Sequence, residues 1–288
     1  MTTPLPVVVP PRPPAKLPPI LARWTQEILG ELPPSEPRST CDACVKLAKP
    51  GEEYGPRHYH PDTKCCTYLP VLLNFQVGLI LDDPEVSEQG KRSVEWRIEQ
   101  GEGVSPVGLT TTPSYDIRYN DDSFGRDPGL MCPHYLQESG GCGVWHQRNA
   151  VCATWFCRSD RGGASFSFWR LGYLRFLRAV EDAVAEWCMF ALGAEEEEWG
   201  PWSDKRAYYR AAGRLTDKLS WKDTLQLGGS KIATRGEQAA ILYKQMMGAP
   251  IVPEELADGR GPVEATEESL RAAETFRAEL QKDKDELL

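Results

Sequence analysis

The chain has 288 residues, 41% of them hydrophobic and 26% charged, with a formal net charge of −9. That is long enough for a sizeable core and ordinary for a soluble globular protein. The negative balance argues against nucleic acid as a partner, because phosphate neutralisation needs a positive field.

Residues 1–19 hold eight prolines. Proline lacks an N–H and favours polyproline II, so this segment reads as an extended arm. Its short apolar run is too broken by proline for a signal-peptide core. No apolar run reaches the roughly 18 residues of a membrane-spanning helix, so no membrane association is expected. The C-terminal KDEL continues to Leu288 and is not an exposed retention signal. A cytoplasmic protein is expected.

Beyond the arm, Ile20, Trp24, Ile28 and Leu32 recur at helical spacing, which predicts a short amphipathic helix over 20–32. Residues 69–81 read as a buried helix or short strand, and 87–101 as a surface helix. Between 101 and 131, Gly, Pro, Thr, Asn and Asp predict loop or short strand. "YNDDSFGRD" (119–127) lacks the ligand spacing of a calcium loop and reads as a turn. Residues 166–192 predict a long amphipathic core helix. Trp169, Tyr173, Leu177, Val180, Val184 and Trp187 fall near one face, with Arg170, Arg175, Arg178, Glu181 and Asp182 mostly elsewhere. Helices are also expected over 204–219 and 234–247, the latter capped by Thr234 with Glu237. The last 25 residues carry a thin apolar stripe on a charged helix pattern. The expected organisation is a Pro-rich arm (1–19), a cysteine-cluster domain with its core helix (20–192), a helical extension (193–263) and a C-terminal helix (264–288).

The cysteines carry the chemical signal. There are nine, an odd number unsuited to a fully paired disulfide framework in a reducing compartment. Cys41 and Cys44 form a Cys-x-x-Cys knuckle, whose spacing lets two sulfurs converge on one ion or cluster edge. Twenty residues later come Cys65 and Cys66. Cys132, Cys142, Cys152 and Cys157 follow, separated by nine, nine and four residues, intervals that match neither helix nor strand. Cys188 lies on the long helix beside Trp187 and reads as a buried structural thiol.

An iron–sulfur cluster accepts ligands from several directions, and adjacent thiols such as Cys65 and Cys66 can serve different irons or neighbouring sites. A structural zinc site more often joins two closely spaced ligand pairs, and only one is present here. The favoured cofactor is therefore an iron–sulfur cluster, 4Fe–4S, at one or two sites, with Zn2+ as the alternative. His58 and His60 precede Cys65 closely, and whether either replaces a thiolate stays open. His134 and His146 read as supporting or surface groups. No Gly-rich phosphate loop and no G-x-S-x-G elbow occurs.

The order "CDAC…KCC" followed by "CPHYLQESGGCGVWHQRNAVCATWFC" resembles the YkgJ-type cysteine-cluster family, described as zinc- or iron-chelating. The later block is the closer match: Cys142-Gly-Val-Trp, Arg148, Cys152 and Trp155-Phe156-Cys157. The resemblance covers about 41–157. In the family the Cys-Cys pair follows the Cys-x-x-Cys more closely than here. The resemblance implies metal chelation by these cysteines and no defined reaction. A related branch, the flagellin lysine methylases, has a similar cysteine set, but no methyl-donor site is evident here.

The expected protein is mainly α-helical, with irregular, metal-stapled loops packed on a long amphipathic helix. The expected ligands are Cys41, Cys44, Cys65, Cys66, Cys132, Cys142, Cys152 and Cys157. The leading function is iron–sulfur redox or electron transfer, or a metal-dependent step. A zinc-stabilised interaction module and an uncharacterised metal-dependent enzyme are the alternatives. The Pro-rich arm or the C-terminal helix would serve a protein partner or homo-oligomer.

Overall fold

The computed structural model describes residues 17–34, 36, 41, 44–55, 58–120 and 122–253. Most of the Pro-rich arm and the expected C-terminal helix lie outside these residues.

The described chain is mainly helical, as its periodicity predicts. Helix α1 spans Pro19–Leu29 and buries Ile20, Leu21, Trp24 and Thr25. It ends at Gly30, whose left-handed backbone returns its N–H to the Gln26 carbonyl at 3.0 Å. Leu32 therefore falls past the helix and is exposed. Residues 69–81 form both expected elements in turn: strand β1 (Leu72–Leu73) leads directly into α2 (Asn74–Asp82). Helix α3 (Glu88–Gln100) is capped by Ser87, which accepts from the Gly90 N–H at 3.0 Å.

The region after α3 is mostly loop, with strands β2 (Val104–Ser105) and β3 (Gly108–Leu109) pairing antiparallel in the order β1-β3-β2. The short helix α4 (Pro113–Arg118), capped by Thr112, was not expected. Strands β4 (Tyr135–Leu136) and β5 (Gly141–Cys142) form a separate hairpin, and α5 (Ala150–Ala153) follows.

The predicted 166–192 helix is composite. An α-turn, α6 (Gly163–Phe166), leads into a π-helix over Ser167–Tyr173, then into α7 (Leu174–Ala191). Helix α7 buries Phe176, Leu177, Val180 and Val184, each worth about 1.5–3 kcal/mol of transfer free energy. Helix α8 (Lys205–Thr216) lies on α2. The two cross at Gly78 and Gly213, where a Cβ on Gly78 would stand 1.9 Å from the Tyr209 carbonyl oxygen. The stretch α9 (Trp221–Gly248) consists of two helices joined across a kink at Gly229, whose φ of 53° and ψ of −141° are non-helical. Ser220 caps the first, and Thr234 lies inside the second and is not a cap. Ile232, Ala239, Tyr243 and Met246 of α9 join the core around α7.

Two of the polar residues expected off the apolar face turn inward. Glu181 is buried in the core, and Arg170 turns into a cavity bounded by the cysteine loops. Among the described residues, no helix is long and apolar enough to cross a membrane.

Candidate metal centre

Eight cysteines line one cavity of about 260 Å3: Cys41, Cys44, Cys65, Cys66, Cys132, Cys142, Cys152 and Cys157. They arrive from five separate stretches of chain. The ninth, Cys188, is fully buried in the core, where its thiol donates to the Ala212 carbonyl at 3.6 Å. All nine cysteines are among the described residues, and none is in a disulfide.

Local structure explains the convergence. Lys64 has a left-handed φ of 52°, rare outside glycine, and makes a sharp turn just before Cys65. The Cys66 N–H closes this turn on the Thr63 carbonyl at 2.9 Å. The Lys64 ammonium reaches the Cys41 carbonyl at 2.9 Å, drawing the knuckle onto the turn. The Cys132 N–H donates to the Cys66 carbonyl at 2.7 Å. The β4–β5 register sets Cys142 opposite Tyr135. Asn149 caps α5 by accepting the Cys152 N–H at 3.0 Å, and its own amide donates to the Val71 carbonyl at 3.0 Å.

That last helix is pinned from within the core. Glu181 accepts the Ala150 N–H at 2.8 Å and the Gln76 amide at 2.6 Å through one carboxyl oxygen. Burial raises its pKa to about 8. The sequence held a signal for this: 181 lies four residues after Leu177 and three before Val184, squarely on the buried stripe.

The thiols sit in a low-dielectric setting. Burial pushes Cys41 up to about 12, with further upward pressure from Cys65, Cys157 and Cys44. Cys44 is raised by burial. Cys132 and Cys152 are raised by burial and then by Cys142. Cys65 is held well above its usual range, first by its hydrogen bond with Cys66. Deprotonating several of these thiols together costs mutual repulsion that a metal cation would offset.

Cations already face the cavity. Arg148 is buried, donates to the Trp145 carbonyl at 2.7 Å and stacks 3.9 Å over the Trp145 ring. Burial lowers its pKa to about 10, an effect countered by Cys142, Cys152 and Cys41. Arg170, presented by the π-helix, lies 4.2 Å over the Trp155 ring, and its Nη1 is buried without a hydrogen-bond partner. π-Helical turns recur at functional sites, where the extra residue redirects side chains. An aromatic wall completes the lining, with Phe124 and Trp155 edge to face at 5.1 Å.

The histidines are otherwise engaged. His134 lines the cavity, but Ser93 Oγ lies 2.7 Å from Nδ1 and Arg97 lies 3.4 Å from Nε2. Burial lowers its pKa to about 3, so the ring is neutral. His58 accepts the Gly55 N–H on Nδ1 at 2.9 Å and places Nε2 3.2 Å from Glu52. Neither His58 nor His60 lines the cavity, and His146 pairs with Asp83 at 2.5 Å.

Among the described residues, no group of three or more His, Cys, Asp or Glu side chains is arranged to hold a metal ion. Comparison with protein-family models, curated proteins and solved structures finds no match for this chain.

Proposed function

We propose that the protein is an iron–sulfur protein, with the eight cavity cysteines as thiolate ligands and a redox or electron-transfer role. One observation carries this reading: eight of nine cysteines converge on one cavity, while the ninth is absorbed by the core. The donor chemistry supports it, since soft thiolates select iron–sulfur clusters, zinc and copper(I). A cluster presents several irons that accept thiolates from different directions, which suits eight thiols on five stretches of chain lining one cavity. The resemblance to the YkgJ-type family points to the same residues.

Bound there, a cluster would supply one-electron chemistry. The chain's own groups would do the rest. Lys64, Arg148 and Arg170 compensate negative charge at the cavity wall, and Trp155 and Phe124 limit water, both of which tune a buried cluster. Anaerobic purification tests the reading. The protein should be brown, with broad visible absorption that bleaches on adding dithionite. Colourless protein holding stoichiometric zinc would replace this reading with a zinc-stabilised interaction module.

A further inference from the structure

The cavity carries a second chemistry beside its thiols. We infer that its aromatic wall is a binding subsite for a small organic carboxylate with a flat apolar body. The body would lie against Tyr68, Tyr119, Phe124 and Trp155, and the carboxylate would pair with Arg170. The subsite adjoins the thiols, so the inference rests on the reading above for what the ligand meets there.

The rings form one connected wall. Phe124 meets Trp155 at 5.1 Å, Tyr119 meets Phe124 at 6.4 Å, and Tyr68 meets Tyr119 at 6.3 Å. All four line the cavity. Two of them, Tyr119 and Phe124, belong to the 119–127 turn, which holds no cysteine. That turn is pressed onto the chain around Cys65 and Cys66. The Gly125 carbonyl accepts the His60 N–H at 2.6 Å, and the Gly125 N–H donates to the buried Thr67 hydroxyl at 2.6 Å. Gly125 has a φ of 75°, and a Cβ there would stand 2.3 Å from the Tyr59 ring, so the close approach needs glycine. Tyr119 stacks on Tyr115 at 5.3 Å. The Tyr115 hydroxyl in turn donates to the Thr67 carbonyl at 2.9 Å and accepts the Leu69 N–H at 2.8 Å. The wall is thus fixed before a ligand arrives, which lowers the ordering cost of binding.

Arg170 supplies the charge. Lys64 and Arg148 also line the cavity, but each donates to a main-chain carbonyl, of Cys41 and Trp145 respectively. Among the described residues Arg170 makes no such bond. It lies 4.2 Å over the Trp155 ring, and its Nη1 is buried without a partner. A buried charged donor left unpaired is costly, and an anion beside it offsets that cost. Its helix is anchored next door, where the Trp169 indole N–H donates to Glu36 at 2.8 Å. An aromatic lining with a few polar groups is the usual make-up of a small-molecule site. One guanidinium suits a carboxylate, whereas a phosphate ester brings more charge and more acceptor oxygens than it can satisfy.

Isothermal titration calorimetry on anaerobically isolated full-length protein tests the subsite. Benzoate, phenylacetate and indole-3-acetate are the probes. Benzamide, without the charge, and acetate, without the ring, are the controls. At least one aromatic carboxylate should bind wild type at one site per chain, with both controls weaker by about tenfold or more. Arg170→Gln should weaken that binding by about tenfold or more at unchanged metal content, and Arg170→Lys should weaken it less. No binding of any of the three probes, or equal binding by Arg170→Gln, overturns the inference. A fall in metal content in Arg170→Gln would make Arg170 a part of the metal centre and overturns it too. The preference of wild type for carboxylate over amide is read without any variant, so a variant that fails to fold does not shield the inference. Metal is quantified on the same samples. Zinc in place of iron, with probe binding intact, ends the iron–sulfur reading and keeps the subsite. Iron and sulfide retained without probe binding does the reverse.

Discussion

Replacing Glu181 with glutamine gives a sharp test of the core that supports the centre. The carboxyl is buried, and burial moves its pKa from 4.5 to about 8. Its folded-state pKa lies above the unfolded value. The stability it contributes is therefore complete below about pH 4.5 and is lost as pH rises towards 8. At about 1.4 kcal/mol per pH unit the full loss is bounded at about 5 kcal/mol. Glutamine keeps the accepting oxygen for the Ala150 N–H and the Gln76 amide, and it cannot ionise. Glu181→Gln should match wild type near pH 4.5 and exceed it by several kcal/mol at pH 8. His134 acts in the opposite sense, because its pKa is lowered to about 3 and its contribution is lost as pH falls below 6.5. Both proteins share that term, so it cancels in the difference. Urea unfolding followed by far-UV circular dichroism, at matched metal content across pH 4.5–9, reads the effect. Parallel stability curves would refute a buried, proton-holding Glu181.

Three further outcomes follow from packing and from the cavity. Gly78→Ala drives a Cβ into the Tyr209 carbonyl, so it should destabilise by about 3 kcal/mol or more in urea unfolding, because backbone must move. Cys188→Ala should leave metal content unchanged, whereas Cys152→Ala should lower it, both read by elemental analysis; equal content in the two would break the ligand assignment. His58→Ala should retain full metal content, since both ring nitrogens face other partners; a fall would make His58 a ligand.

The sequence made some of this plain and hid the rest for physical reasons. Leu177, Val180 and Val184 betray α7 because a buried helical stripe leaves a period. Cys188 announces itself as core by sharing that stripe. Glu181 shares it too, yet the usual pairing of charge with solvent masks its burial until Gln76 and the Ala150 N–H appear beside it. Arg170 is misplaced by a regular 3.6-residue wheel because it stands on a π-helix, whose extra residue rotates it to the cavity. Thr234 satisfies a capping pattern, but the helical segment that follows the Gly229 kink already contains it. The cysteine spacings foretold convergence without foretelling partners. Those depend on long-range ties such as Lys64 to Cys41 and Cys132 to Cys66, which no local pattern encodes.

The central claim is that the cavity thiols hold iron and sulfide. Quantifying iron, zinc and acid-labile sulfide on protein freshly isolated without oxygen tests it most directly. Iron and sulfide in equal, multiple amounts per chain, with little zinc, is the predicted result. Stoichiometric zinc without sulfide, or no bound metal at all, would contradict it.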